Sequence, residues 1–128
     1  MARDDVAGTT EFHWRAASVQ AYYALFLECR DALLRWGFRL SRRDNVHAWV
    51  RLRFTYATVP DLNVLGNALD ELVQLRNQAS YDLTARVNFS SPAAAQHALL
   101  KAGTALALLD AIDGDPGRRA VAVASIRP

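Results

Sequence analysis

An arginine standing inside a leucine stripe constrains this chain more than any other feature. Leu62, Leu65, Leu69, Leu72, Arg76, Ala79 and Leu83 recur at alternating steps of three and four, the periodicity of one helix face and not of a strand. Register therefore puts Arg76 where a core residue belongs. An unpaired buried ion is costly, so a cation there needs a partner, a wet cleft or an interface. The plain alternative is an arginine whose stem lies along the leucines while its head reaches water or a carboxylate.

Length and composition set the frame around that helix. With 128 residues, 52% of them hydrophobic, the chain can bury one core without disulfides or a structural metal. A single domain over 1–128 is expected, with its core in about 10–113 and a tail over 114–128. The one cysteine, Cys29, has no partner in the chain and sits among apolar neighbours, so it reads as a small buried hydrophobe. No Cys/His cluster has metal-ligand spacing, and neither a metal nor a cofactor is expected. The opening residues lack the basic and then apolar run of a signal peptide, and no apolar run approaches membrane-spanning length. A soluble, cytoplasmic protein with no membrane contact is the expectation.

Net charge is only +2, yet Lys101 is the single lysine and all the other basic residues are arginine. The planar guanidinium suits carboxylates and phosphates, although a genome-wide codon preference gives the same composition. Arg39, Arg42, Arg43, Arg51 and Arg53 cluster in sequence. They could meet phosphates, but a solvated loop and helix face is the commoner meaning of such a run.

Periodicity divides the chain into four helices and a tail. The first runs from about Thr10 to Trp36, with Trp14, Ala17, Ala21, Leu25, Cys29, Ala32 and Trp36 on one face and Val19, Tyr22, Tyr23, Phe26 and Leu33 widening it. Gly37 is its stop signal. Asp44 can cap a second helix that carries Val46, Trp49, Val50, Phe54 and Ala57 and ends near Pro60. His47 and Arg51 share a face of it.

Asp61 can cap the long third helix, which should fade by about Asn88. Ser91 and Pro92 read as N-cap and first residue of a fourth helix that ends at about Asp113. Ala102-Gly103 in its middle suggests a close helix approach. Residues 118–128 alternate weakly through Val121 and Val123, which fits a short edge strand, a docked extension or disorder. An antiparallel up-down bundle of four or five helices is the all-α fold that buries these faces. The many large rings either fill that core or extend into a homodimer interface.

Three segments, taken in order, resemble the HEPN domain family of small all-α modules. They are Ala21-Tyr22-Tyr23-Ala24-Leu25-Phe26 with Ala32-Leu33-Leu34, His47 opening the second helix, and Arg76-Asn77-Gln78-Ala79-Ser80-Tyr81-Asp82. Together they fall within residues 14–113. The third segment is similar to the tyrosine-bearing subgroup, which reads arginine, two variable residues, alanine, a small or acidic residue, tyrosine and aspartate. The resemblance implies a dimeric HEPN bundle from a toxin-antitoxin or defence-type system, with Arg76, Asn77 and Tyr81 as its functional motif. It also implies a nucleotidyltransferase or antitoxin as a possible protein partner, and RNA or a nucleotide as a possible ligand. Some tyrosine-bearing relatives have that tyrosine modified by a small nucleotidyltransferase, and Tyr81 is the matching position.

Ribonuclease members of the family carry histidine where this chain has Tyr81. In them arginine stabilises charge on the phosphate while histidine moves a proton. A tyrosine with a pKa near ~10 is a poor base at neutral pH, though it can donate a proton or hold a phosphate oxygen. Residues five apart on a straight helix also point about 140° apart, so Arg76 and Tyr81 of one copy do not converge. A composite site needs two copies of the third helix meeting across a two-fold axis. His13, His47 and His97 could supply a histidine from elsewhere, but each is expected to be structural or superficial. Two readings follow: a binding module for RNA, a nucleotide or a protein partner, and a metal-independent endoribonuclease acting on single-stranded RNA.

Overall fold

The computed structural model describes residues 2–40, 45–81 and 92–127, with side chains over 11–40, 45–79 and 92–127. Among these residues every regular element is helical: α1 Ala2–Arg35, α2 Val46–Thr55, α3 Pro60–Tyr81, α4 Ala93–Asp113 and α5 Pro116–Ser125. The helices pack into one bundle around a shared apolar core. No described helix is long and apolar enough to cross a membrane.

The stripes behave as their spacing requires. On α3, Leu62, Leu65, Leu69 and Leu72 are fully buried, while Leu83 lies outside the described residues. On α1, Ala21, Leu25, Cys29 and Ala32 form the central seam, with Tyr22, Phe26 and Leu33 buried beside it. Burial also pushes the Cys29 thiol well above its ordinary pKa, so it stays a protonated hydrophobe. On α4 the seam is Ala95, Ala98, Ala102, Ala105, Leu109 and Ile112, small enough at four positions to let α1 lie close.

Helix ends show where local signals sufficed. Gly37 adopts φ 97°, and its N–H donates to Leu34 O while the Phe38 N–H donates to Leu33 O. This Schellman turn ends α1 where the glycine predicted. At the other end α1 begins at Ala2 and not near Thr10. For α2 the cap is Asn45, whose Oδ1 accepts from the N–H groups of His47 and Ala48, and the predicted cap, Asp44, lies outside the described residues.

Asp61 is no cap either. It lies inside the first turn of α3, which starts at Pro60, and its carboxylate accepts from Arg118 at 2.8 Å. Ser91 is outside the described residues, and Pro92 stands just before α4 instead of being its first residue. The region around Asn88 is also outside them.

Of the alternatives for the tail, residues 116–125 are a docked fifth helix and not an edge strand or disorder: Asp115 caps it through Gly117 N and Arg118 N, and Pro116 occupies its first turn. Ala122 and Ile126 then join the core. Gly103, expected at a close approach, faces open space, whereas a Cβ on Gly66 would meet Thr55 N at 2.8 Å and Thr55 Cα at 2.9 Å. The tight crossing is therefore between α2 and α3.

Asn63 secures that crossing. Its Nδ2 lies 3.1, 3.0 and 2.8 Å from the carbonyl oxygens of Phe54, Thr55 and Ala57, so α3 satisfies the orphan acceptors at the end of α2. Strict up-down alternation does not hold throughout. His47 near the start of α2 meets Tyr22 and Phe26, and Phe54 near its end meets Trp36, so α2 runs in the same sense as α1. Helix α3 runs against both.

Gly66→Ala should cost about 1–3 kcal/mol, because backbone and not a flexible side chain must yield. Gly103→Ala should instead stabilise by about 0.5–1 kcal/mol through helix propensity. Urea denaturation of the two variants beside the parent measures both.

Candidate anion site around Arg76

Arg76 leaves the α3 stripe one turn beyond Leu72, where α1 offers rings instead of aliphatic side chains. Its guanidinium carbon lies 5.3 Å from the Tyr22 ring centroid and 5.8 Å from that of Tyr23, within cation–π range. One amino group donates to the Tyr23 hydroxyl at 3.1 Å. Nε is buried and has no hydrogen-bond partner among the described residues. No carboxylate pairs with Arg76 among them, so the charge is held by rings and one hydroxyl.

The second tier of the site is His47, brought in from α2. Its Nδ1 lies 2.6 Å from the Tyr22 hydroxyl, and its ring stacks on Phe26 at 4.4 Å between centroids. Burial lowers the imidazole pKa, and the Arg76 charge lowers it further. Burial raises the Tyr22 phenol to about 12, with Arg76 opposing that shift. Both groups are thus neutral at pH 7. When the phenol donates to Nδ1, the imidazole proton sits on Nε2.

Arg15 fixes the end of α3 that carries the motif. One of its amino groups donates to Gln78 O and Ala79 O, both at 3.1 Å, and the guanidinium is braced by Glu11 at 3.1 Å. Both carbonyls lie in the last described turn of α3. Asn77 is exposed on the neighbouring face. The Tyr81 side chain, like Asp82, lies outside the described residues.

Sequence reasoning singled out Arg76 and its place in the register, but set His47 aside as structural or superficial. The structure puts His47 one residue, Tyr22, away from Arg76. The missed signal was the pair of tyrosines, since Tyr22 and Tyr23 are the groups that join the two. The other histidines stay apart. His97 Nε2 lies 2.6 Å from Glu71 Oε1 at the α3–α4 surface, where Lys101 also binds Glu71 and both hold its carboxyl below the usual pKa. His13 is exposed beside Phe12. Among the described residues no group of three or more His, Cys, Asp or Glu side chains could hold a metal.

Of the clustered arginines, Arg51 reaches Asp70 at 3.7 Å and Arg53 lies 4.8 Å over the Trp49 ring. Arg39 is exposed, and Arg42 and Arg43 lie outside the described residues. Compared with protein-family models, curated proteins and solved structures, the chain finds no match.

A histidine held neutral by the fold makes stability depend on pH with a definite sign. The unfolded chain takes up the His47 proton near pH ~6.5, the folded chain only at lower pH, so this contribution is full above that value and is lost as pH falls. Denaturation midpoints should therefore drop between pH 7.5 and 5.5. His47→Gln should flatten the drop, and an unchanged slope in that variant would remove His47 as its source.

Proposed function

We propose that this protein is a HEPN-type binding module whose Arg76 centre takes a phosphate group of RNA or of a nucleotide. The observation that carries this reading is a guanidinium fixed over two tyrosines with no carboxylate paired to it among the described residues. A fixed planar cation with N–H groups to spare suits a phosphate oxygen pair. Tyr23 OH and exposed Asn77 stand ready as neutral donors, and Tyr81, two residues beyond Ala79, is the remaining member of the motif. The toxin-antitoxin or defence setting, and a nucleotidyltransferase or antitoxin partner, belong to the same proposal and rest on the resemblance alone.

The proposal includes a homodimer. Tyr23, Leu27 and Leu34 are 37%, 41% and 44% exposed, and their spacing aligns them along one side of α1 next to Arg76. An apolar line beside a cation is a surface a second copy can cover, adding its own α3 motif to the site. Leu27→Glu should then shift sedimentation from dimer to monomer. A parent chain that sediments as a monomer at every concentration would remove this part.

One observation favours a second reading, the metal-independent endoribonuclease. Neutral His47 sits beside the Tyr22–Arg76 pair, so the cluster holds a proton acceptor near a phosphate anchor. Purified protein incubated with single-stranded RNA in chelator, beside Arg76→Leu, His47→Gln and Tyr81→Phe, separates the readings. The binding module retains RNA or nucleotide without cleaving it and loses at least about tenfold in affinity with Arg76→Leu, a charge-assisted contact. Because that position continues a leucine stripe, the same variant should fold at least as stably as the parent. Cleavage that disappears with both Arg76→Leu and His47→Gln would establish the enzyme instead. Neither binding nor cleavage would end both.

A further inference from the structure

The opposite end of the bundle carries a groove that the Arg76 centre does not use. Trp36 and Val123 lie in the walls of two concavities of about 770 and 460 Å³, a two-part trough lined by residues at the ends of α1 and α4, by α5 and by Trp49 of α2. Its middle is apolar, formed by Trp36, Phe38 and Val123 over buried Trp49. Its edges are Arg35, Arg39 and Arg119. The one carboxylate lining it, Asp113, is already engaged by the Trp36 indole N–H at 2.8 Å and by Arg35 at 3.0 Å. Arg119 donates to the Asp113 carbonyl and its charge also acts on the Asp113 carboxylate, while Arg39 is exposed.

We infer that this trough is a docking site for an acidic segment of a protein partner, one that seats an apolar side chain on Trp36, Phe38 and Val123 between flanking carboxylates. Charge complementarity selects acidic partners, since the trough carries three arginines against one carboxylate, which Arg35 already pairs, and so keeps an excess of two positive charges. The floor selects a peptide over a single-stranded nucleic acid. Bases need open ring faces to stack on, but Trp49 is only 4% exposed and is covered by Arg53. Rings set as a floor receive inserted side chains, and tryptophan with arginine is the composition of peptide-binding hot spots.

The experiment is selection of a displayed random dodecapeptide library on the intact chain, followed by fluorescence anisotropy of the enriched peptides. Enriched sequences should place Asp or Glu on both sides of a large apolar residue. Replacing that apolar residue by Ser, or using Arg39→Glu with Arg119→Glu, should weaken binding by about tenfold or more, with helix content unchanged by circular dichroism. Val123→Asp should do the same from the floor. Arg76→Leu should leave the affinity as it is, which keeps this result separate from the fate of the Arg76 centre. No enrichment, a neutral or basic consensus, indifference to the arginine variants, or displacement of the peptide by an oligouridylate at lower concentration would each overturn the assignment.

Discussion

The close crossing of α2 on α3 fixes nearly everything that gives this bundle a chemical character. Gly66 lets the two backbones approach to a separation that no side chain on it would permit, and Asn63 ties the end of α2 down through its carbonyls. Helix α2 is only ten residues long, too short to be stable alone in water, so its position is set by this contact and by burial of Trp49, Val50 and Phe54. Once it is held there, its first turn presents His47 to Tyr22, and Trp49, one turn from that end, closes the floor of the far groove. One short helix thus contributes to both.

At the Arg76 end, magnitudes decide what the cation is for. Cation–π contacts contribute about 0.5–2 kcal/mol, and a hydrogen bond from a charged donor about 1.5–3 kcal/mol. Removing an ion from water costs several kcal/mol more than that when the removal is complete. Arg76 is only partly buried, so the rings and the Tyr23 hydroxyl hold it in place without quenching it. Tyr22 and His47 add no charge, because burial keeps the one protonated and the other neutral. A positive centre surrounded by neutral groups retains its attraction for an anion, whereas a leucine at the same position would have completed the stripe.

Local periodicity and turn chemistry made much of the fold legible. The leucine stripe of α3, the broad face of α1 and the Gly37 stop each follow from residues within a few turns of one another. What failed was long-range or degenerate. Gly103 and Gly66 look alike in sequence, and only the position of Thr55 on another helix distinguishes them. Asp61 has every property of a cap, but Pro60 already begins the helix and Arg118 claims the carboxylate. The fourth helix is expected to end at about Asp113, but Asp115 before Pro116 is equally the start of a helix, and α5 is only ten residues long, with Val121 and Val123 at a spacing that also fits a strand. For the site, Arg76 was visible because it broke a pattern. His47 broke none, and its role comes from a contact 25 residues away in the chain.

The arginine-rich composition acquires meaning at the two ends together. Arg76 lies over Tyr22 and Tyr23 and Arg53 lies over Trp49, both with a planar face against rings. A guanidinium stacked in this way still directs N–H groups outward along its edge, while an ammonium facing a ring has no comparable plane to divide between packing and hydrogen bonding. Codon preference explains the number of arginines equally well, but it does not explain why two of them rest on aromatic faces at opposite ends of α2's reach. That placement needs the flat, permanently charged group, and lysine at position 76 would give up the ring contact, the Tyr23 bond geometry or the outward donors.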